Sequence, residues 1–277
     1  VRDPGTYAAI SDTEYHADRD SLSSSGARKI LQSPARFRWD MDHPRPYVAA
    51  FELGHAAHTL TLGIGDEFEV VDADSWRAKE SREQRDLAIA EGRTPLLASE
   101  WRQVQDMREA LADHPVAGPL FERDDTMAEL SMWWEDPDTG CSCRARPDLA
   151  TYDWDLIVDY KTTADASPRG FQKAVATFSY EVQAAWYLDA VSVLKDARDV
   201  PFVFVCQEKT PPYLVGIYQL DVEALRVGAE KSARARRLYV QATASDQWPG
   251  YPTAPQLIDL PKWAVIQHDE DQIQEQQ

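Results

Sequence analysis

Two short runs constrain what this chain can fold into. Arg144–Ala145–Arg146–Pro147–Asp148 ends in a carboxylate, and Leu156–Ile157–Val158–Asp159–Tyr160–Lys161–Thr162–Thr163 carries an apolar stretch into a second. The second run adds a lysine two residues further on. In a strand, side chains i and i+2 share a face, so Asp159 and Lys161 point the same way. Two carboxylates set against an ammonium suit divalent-metal binding and activation of a water. A surface ion pair on a strand would give the same Asp-x-Lys tripeptide. The apolar Leu156–Val158 lead-in argues against that, because a buried strand does not normally end in titratable and polar groups without partners.

Charge narrows the function classes. The 277 residues carry 47 acids against 29 Lys and Arg, for a formal net charge of −18. A protein that coats nucleic acid over its whole surface is excluded by that balance, whereas a local basic channel is compatible with it. The length suits one large domain or two small ones. No apolar run has membrane-spanning length, and Val1–Glu14 is largely polar and lacks signal-peptide character, so no membrane partner is expected. Cys141, Cys143 and Cys206 are odd in number and form no C-x-x-C pair. They read as buried filler in a reduced, intracellular protein, with neither disulfides nor a thiolate zinc site.

Along the chain, Val1–Asp18 reads as an irregular lead-in. The serines from Ser21 cap a helix running to about Leu31, which Ser33–Pro34 stops, and Ala35–Met41 continues as another turn or helix. Arg28, Lys29, Arg36 and Arg38 make this a basic patch, either a phosphate-contacting surface or a solvated helix face. Ala49–Ile64 reads as a helix with Gly54 and His58 four apart on one face, so that glycine admits a close backbone and His58 faces a metal or phosphate. A hydrogen-bonded structural histidine is the plainer alternative. Asp72–Glu91 and Ser99–His114 read as helices, making Asp72–Asp125 a helical accessory region.

From Met127 the pattern turns to strand. Glu129–Glu135, Cys141–Tyr152 and Leu156–Thr162 read as strands, with a turn at Asp136–Gly140. Pro147 removes a ladder donor and belongs at an edge or bulge, a way to re-aim Asp148 towards Asp159. Helices are expected over Ala166–Thr177, with Arg169 and Lys173 on one side, and over Tyr180–Leu194, with Gln183 and Tyr187 sharing a face. Strands Pro201–Gln207 and Tyr213–Leu220 follow, then a helix from Val222 to about Ala244. The chain is Pro-rich after Trp248, and Asp269–Gln277 reads as disordered. The order gives an α/β fold with a central mixed sheet flanked by helices. It divides into an N-terminal helical part (1–126) packed on a core (127–246), with a partly disordered C-terminal extension (247–277).

These residues carry a resemblance. The sequence resembles the PD-(D/E)xK nuclease superfamily in its RecB-like branch, and most closely the RecE (exonuclease VIII) group of phage and prophage recombination exonucleases. The resemblance runs from about Ser21 to Arg237. It rests, in family order, on the serine-rich helix with Ser33-Pro34-x-x-Phe37, on Gly54-x-x-x-His58, Glu129 and Arg146-Pro147-Asp148, and on Asp159-x-Lys161 and Gln183-x-x-x-Tyr187. It implies a restriction-endonuclease-like core. Asp148, Asp159 and the Tyr160 carbonyl would be metal ligands, with His58 an additional one. Lys161 would orient or deprotonate the attacking water, and Glu129 would be an acidic contributor to a second metal. Gln183 and Tyr187 would position DNA or the lysine. A local cationic lining of Arg28, Lys29, Arg144, Arg146, Arg169 and Lys173 would reconcile DNA with the acidic exterior. Mg²⁺ is the expected ion, with Mn²⁺ able to substitute.

Some relatives hold an iron–sulfur cluster through a cysteine just before the Pro of the first motif. Ser33 stands there in this chain and no C-terminal cysteine group follows, so no cluster is expected. No Walker loop is present. The implied activity is metal-dependent degradation of linear double-stranded DNA from its ends, 5′ to 3′, leaving 3′ single strands for recombination. A tetrameric homo-oligomer, a single-strand annealing protein as partner, and the cytoplasm of a bacterial host or phage-infected cell are implied with it. Two other readings keep the same motifs: a RecB-like endonuclease of CRISPR-adaptation or restriction type, and a non-catalytic acidic interaction protein.

Overall fold

The structure is a computed structural model, and it describes residues 2–8, 10–43, 52–65 and 67–275. The N-terminal part holds β1 (Gly5–Tyr7), α1 (Asp12–Ala17), β2 (Leu22–Ser23), α2 (Ser24–Gln32), α3 (Pro34–Asp42) and α4 (Glu52–Leu62). Next come β3 (Phe68–Val71), α5 (Lys79–Ala90), β4 (Thr94–Leu97), α6 (Ala98–Ala112) and α7 (Ala117–Phe121). The strand-rich centre is β5 (Thr126–Ala128), β6 (Ser131–Glu135), β7 (Ser142–Ala145), β8 (Leu149–Thr151) and β9 (Ile157–Thr163). It is followed by α8 (Pro168–Phe178), α9 (Tyr180–Lys195), β10 (Phe202–Glu208), β11 (Val215–Tyr218), α10 (Val222–Ser245) and α11 (Lys262–Glu275). Several helices start where the sequence supplies a cap. Ser23, Ser33, Ser167 and Asp221 accept from the backbone N–H groups of Gly26, Arg36, Gly170 and Ala224, at 3.1, 3.3, 3.1 and 2.7 Å.

A mixed five-stranded sheet in the order β11-β10-β9-β8-β5 forms the centre, with β9 and β10 parallel and the other neighbours antiparallel. Its alternating side chains feed two cores. Ile157, Phe202, Phe204 and Cys206 pack with Ala27 and Ile30 of α2, Val182 and Trp186 of α9, and Ala235 and Tyr239 of α10. Val158, Tyr160, Val203 and Val205 pack with Ala56 and Ala57 of α4 and with Val104, Met107 and Leu111 of α6. Helix α9 is buried over most of its circumference, and α10 crosses it closely: a Cβ on Gly228 would stand 2.1 Å from the Glu181 carbonyl oxygen.

A bent hairpin joins this sheet to a second one, ordered β1-β6-β7-β2. Ala128 lies opposite Leu149 in the first sheet and Met132 opposite Ala145 in the second, which is a single unbroken register. Ser131 therefore faces Arg146, whose Nε donates to its Oγ at 2.9 Å, Leu130 faces Pro147, and Glu129 faces Asp148. At the bend Pro147 offers no N–H and Glu129 takes a positive φ of 48°. The expected strand Cys141–Tyr152 is consequently two, β7 and β8, and Glu129 sits at the bend rather than inside the strand Glu129–Glu135.

Other differences have local causes. The expected accessory helical region contains β4, which pairs in parallel with β3; a four-residue Thr-Pro-Leu-Leu strand, buried throughout, shows no alternation in sequence. The lead-in to Asp18 contains β1 and α1, and β1 and β2 complete the second sheet. Asp269–Glu275, expected as disordered, continues helix α11. Ala49–Phe51 of the expected helix Ala49–Ile64 and the last two residues of the tail lie outside the described residues. Among the described residues no helix is long and apolar enough to cross a membrane. The three cysteines are free and buried.

Candidate active site

The site lies where the bend delivers strands β5 and β8 to β9. Leu149 pairs with Val158 and Ala150 with Ile157, so continuing that register by one residue sets Asp148 opposite Asp159. The Glu129 N–H donates to the Asp148 carbonyl at 3.0 Å. Glu129 and Asp148, at the bend just past the ends of β5 and β8, thus line up with Asp159 of β9 in one row, and Lys161 follows Asp159 on the same face.

Asp159 is fully buried. Its carboxylate forms an ion pair with Lys161 Nζ and accepts from Gln183 Nε2 at 2.7 Å. Burial pushes the Asp159 carboxyl up to about 6, against the pull of Lys161. For Lys161 burial works the other way, but Asp159 and Asp148 outweigh it and hold the ammonium charged. Its Nζ also lies 5.4 Å from the Tyr180 ring centre. Gln183 and Tyr187 are both buried on α9, with Gln183 Nε2 3.3 Å from the Tyr187 hydroxyl. They act on Asp159 from inside the protein and present no surface to DNA.

Asp148 is held from two directions. Its Oδ2 accepts from the Tyr160 N–H at 2.6 Å, and its Oδ1 lies 3.0 Å from His58 Nε2. Burial alone would raise its carboxyl, but His58, Lys161 and the Tyr160 N–H keep it below the ordinary range. His58 Nδ1 is 3.8 Å from Glu129 Oε1. Burial opposes charge on the imidazole, yet Asp148 and Glu129 push it up to about 9. Burial raises the Glu129 carboxyl, and Asp12 adds to that effect. Helix α4 reaches this strand end because Gly54 has no side chain: a Cβ there would stand 3.0 Å from Thr162 Oγ1.

Gln207, which the sequence does not mark out as part of the site, supports the frame. The Tyr160 hydroxyl donates to Gln207 Oε1 at 2.6 Å, and Gln207 Nε2 donates to the Met107 carbonyl at 2.7 Å. This pins β9 to β10 and α6. An amide directly continuing the apolar run Phe202–Cys206 was the available signal.

The expected cationic lining divides. Arg144 is 8% exposed and spends its Nη1 on the Ser21 carbonyl and on Ser21 Oγ, the latter at 2.9 Å. The Arg146 side chain is also 8% exposed and bonds Ser131, Asp12 at 2.6 Å and the Ile10 carbonyl at 2.9 Å. Both guanidiniums lie over the Tyr15 ring, at 5.3 and 4.1 Å. Helix α1 covers them, so these two arginines are internal ties rather than a phosphate surface. Lys29 pairs with Asp40 at 2.7 Å, and Arg28 Nη1 donates to the Phe178 carbonyl at 2.9 Å. Arg169 and Lys173 are exposed on α8.

Among the described residues no three His, Cys, Asp or Glu side chains converge as a ready-made metal cage. The donors fit a divalent cation in kind. One carboxylate stands just before β8 and the other in the neighbouring β9, an imidazole touches the first, and the positive charge the cluster attracts is supplied by His58 and Lys161. The same field that holds a proton on His58 favours a hard cation with oxygen ligands.

A family model described as "PDDEXK-like domain of unknown function (DUF3799)" matches residues 23–260. No curated protein matches the chain. Among solved structures, a "putative exonuclease" from Eubacterium rectale superposes with a TM-score of 0.62 at 12% identity, over 92% of this chain and 96% of that one. A phage related exonuclease from Haemophilus somnus 129PT reaches a TM-score of 0.34 at 13% identity, over 82% of this chain and 96% of that one. The first likeness bears on the fold alone, and the second is too loose to carry any inference.

Proposed function

Since this chain belongs to the PDDEXK-like domain family, we propose that it is a metal-dependent exodeoxyribonuclease that degrades linear double-stranded DNA. The observation that carries the reading is the row Glu129–Asp148–Asp159 with Lys161 on the same face. Asp148, Asp159 and the Tyr160 carbonyl, with His58, would hold Mg²⁺, for which Mn²⁺ can substitute. Such an ion supplies Lewis acidity at a phosphoryl oxygen and lowers the pKa of a bound water.

The chain's own groups have distinct tasks in this reading. Lys161 stays protonated beside Asp159 and offsets phosphate charge where a water is oriented for attack. Gln183 fixes the rotamer of the Asp159 carboxylate, and Tyr187 supports Gln183. The proton on His58 must leave Nε2 before that nitrogen can act as a ligand. Arg28, Arg169 and Lys173 meet the phosphate backbone outside the acidic row. The resemblance to the RecE group supports the finer assignments: 5′ to 3′ polarity, 3′ single-stranded products for recombination, a homotetramer, a single-strand annealing partner and a cytoplasmic setting in a bacterial or phage-infected cell.

The test is digestion of linear duplex labelled at either the 5′ or the 3′ end, beside covalently closed plasmid, with Mg²⁺ and with EDTA. Metal-dependent release of 5′ label as small products, with the plasmid untouched, is the expected result. Plasmid cleavage would replace the exonuclease reading with an endonuclease, and loss of neither substrate would end the nuclease reading. Lys161→Ala is expected to abolish cleavage while the chain still folds and binds DNA; retained cleavage would remove the role assigned to this lysine.

A further inference from the structure

The aromatic groups beside Lys161 continue outward to the surface. Tyr180 stands 5.8 Å from Phe204 and 6.2 Å from Phe171, stacked on both, and its ring lies under the Lys161 ammonium. Phe204 and Phe171 are buried. The next ring, Phe178, is 5.6 Å from Tyr180 at a 32° tilt and is 56% exposed. Phe178 continues the inward stripe of α8 (Phe171, Ala174, Val175) at the last residue of the helix, where more than half of it is open to solvent.

Its backbone is held firmly. The Phe178 carbonyl accepts from Arg28 at 2.9 Å. Ser179 takes a left-handed φ of 53°, returns its N–H to the Val175 carbonyl and turns the chain into α9. An isolated exposed phenylalanine needs no explanation on its own. This one has its backbone fixed, meets through its ring the tyrosine that lies under Lys161, and has the Arg28 guanidinium bonded to its carbonyl. A flat apolar ring beside cations is the chemistry that receives a nucleobase whose phosphate is held nearby.

We infer that Phe178 is a stacking seat for one base of the DNA strand, next to the phosphate presented to Lys161. The inference rests on the nuclease reading and adds to it a base-contacting residue outside the acidic row. A stacked base must leave its own duplex stack, so the seat takes an unpaired nucleotide at a frayed or resected end.

The test is anisotropy titration of the full chain, in Ca²⁺, with a labelled duplex in which nucleotides at one end are replaced one at a time by an abasic residue. Stacking of this kind corresponds to roughly a tenfold change in affinity. The wild type is expected to lose about that factor at one abasic position only. Phe178→Ala is expected to lose the same factor on intact DNA and nothing further at that position, whereas Phe178→Tyr behaves as wild type. Equal tolerance of abasic residues at every position, or unchanged binding by Phe178→Ala, would overturn the seat while leaving the nuclease reading in place. Wild-type protein that binds no DNA end would overturn both.

Discussion

Within the row of acids the two aspartates are held differently, and Gln183 is responsible for one of them. Asp159 has no exposure to solvent, so its geometry depends on Lys161 and on the amide at 2.7 Å. Gln183→Leu is expected to reduce cleavage by about 10- to 100-fold with the fold retained, as for other loss of support behind a ligand. Steady-state rates measured against a Mg²⁺ titration check it: a rise in the metal concentration needed marks misplacement of Asp159, and unchanged kinetics would show that Lys161 alone fixes the carboxylate. That Asp159 and Lys161 share a strand face, and Gly54 and His58 a helix face, was legible from spacing, and Pro147 marked the break beside Asp148, whereas Glu129 entered only through the resemblance. Arg144 and Arg146 were misread because their burial is tertiary. It depends on Tyr15, whose helix α1 has too little periodicity to show against an irregular lead-in. Gln207 stayed hidden because its partners, Tyr160 and the Met107 carbonyl, come from distant parts of the chain.

Among the elements, the crossing of α9 and α10 matters most for the site, because α9 carries Gln183 and Tyr187. Gly228 makes that crossing possible, with the Glu181 carbonyl where a Cβ would be, and Lys231 reaches Glu181 at 2.6 Å beside it. Gly228→Ala is expected to destabilise the protein by about 1–3 kcal/mol, because overpacking must push the helices apart. The midpoint of urea unfolding measures this, and an unchanged midpoint would show that α10 shifts freely. At this scale the sequence revealed α2 through its serine cap, and α6 and α9 through their apolar spacing. It did not reveal that the stretch from Cys141 to Tyr152 changes sheets. Pro147 signalled a break, but only the partner strand, with Glu129 at positive φ opposite Asp148, turns the break into a bend.

Over the whole molecule, most of the core lies on the two faces of the five-stranded sheet, and the C-terminal segment stands apart from it. From Tyr251 to Ile273 the chain is exposed apart from the half-buried Ala264, with Leu257 at 99% and Trp263 at 72%, and the side-chain hydrogen bonds among these described residues close within the stretch. Deleting the chain after Gly250 is therefore expected to leave the thermal unfolding midpoint unchanged; a lower midpoint would show that the segment folds back onto the core. The opposite holds for the hairpin of residues 126–151. It lends two strands to each of the two larger sheets in a single register, and its bend carries Asp148 and Glu129. Neither sheet can be excised without taking half a hairpin from the other. The acidic row therefore has no smaller autonomous module: shortening by descent or by engineering can trim the ends and the loops, but it cannot pare the scaffold down to the one sheet that bears Lys161.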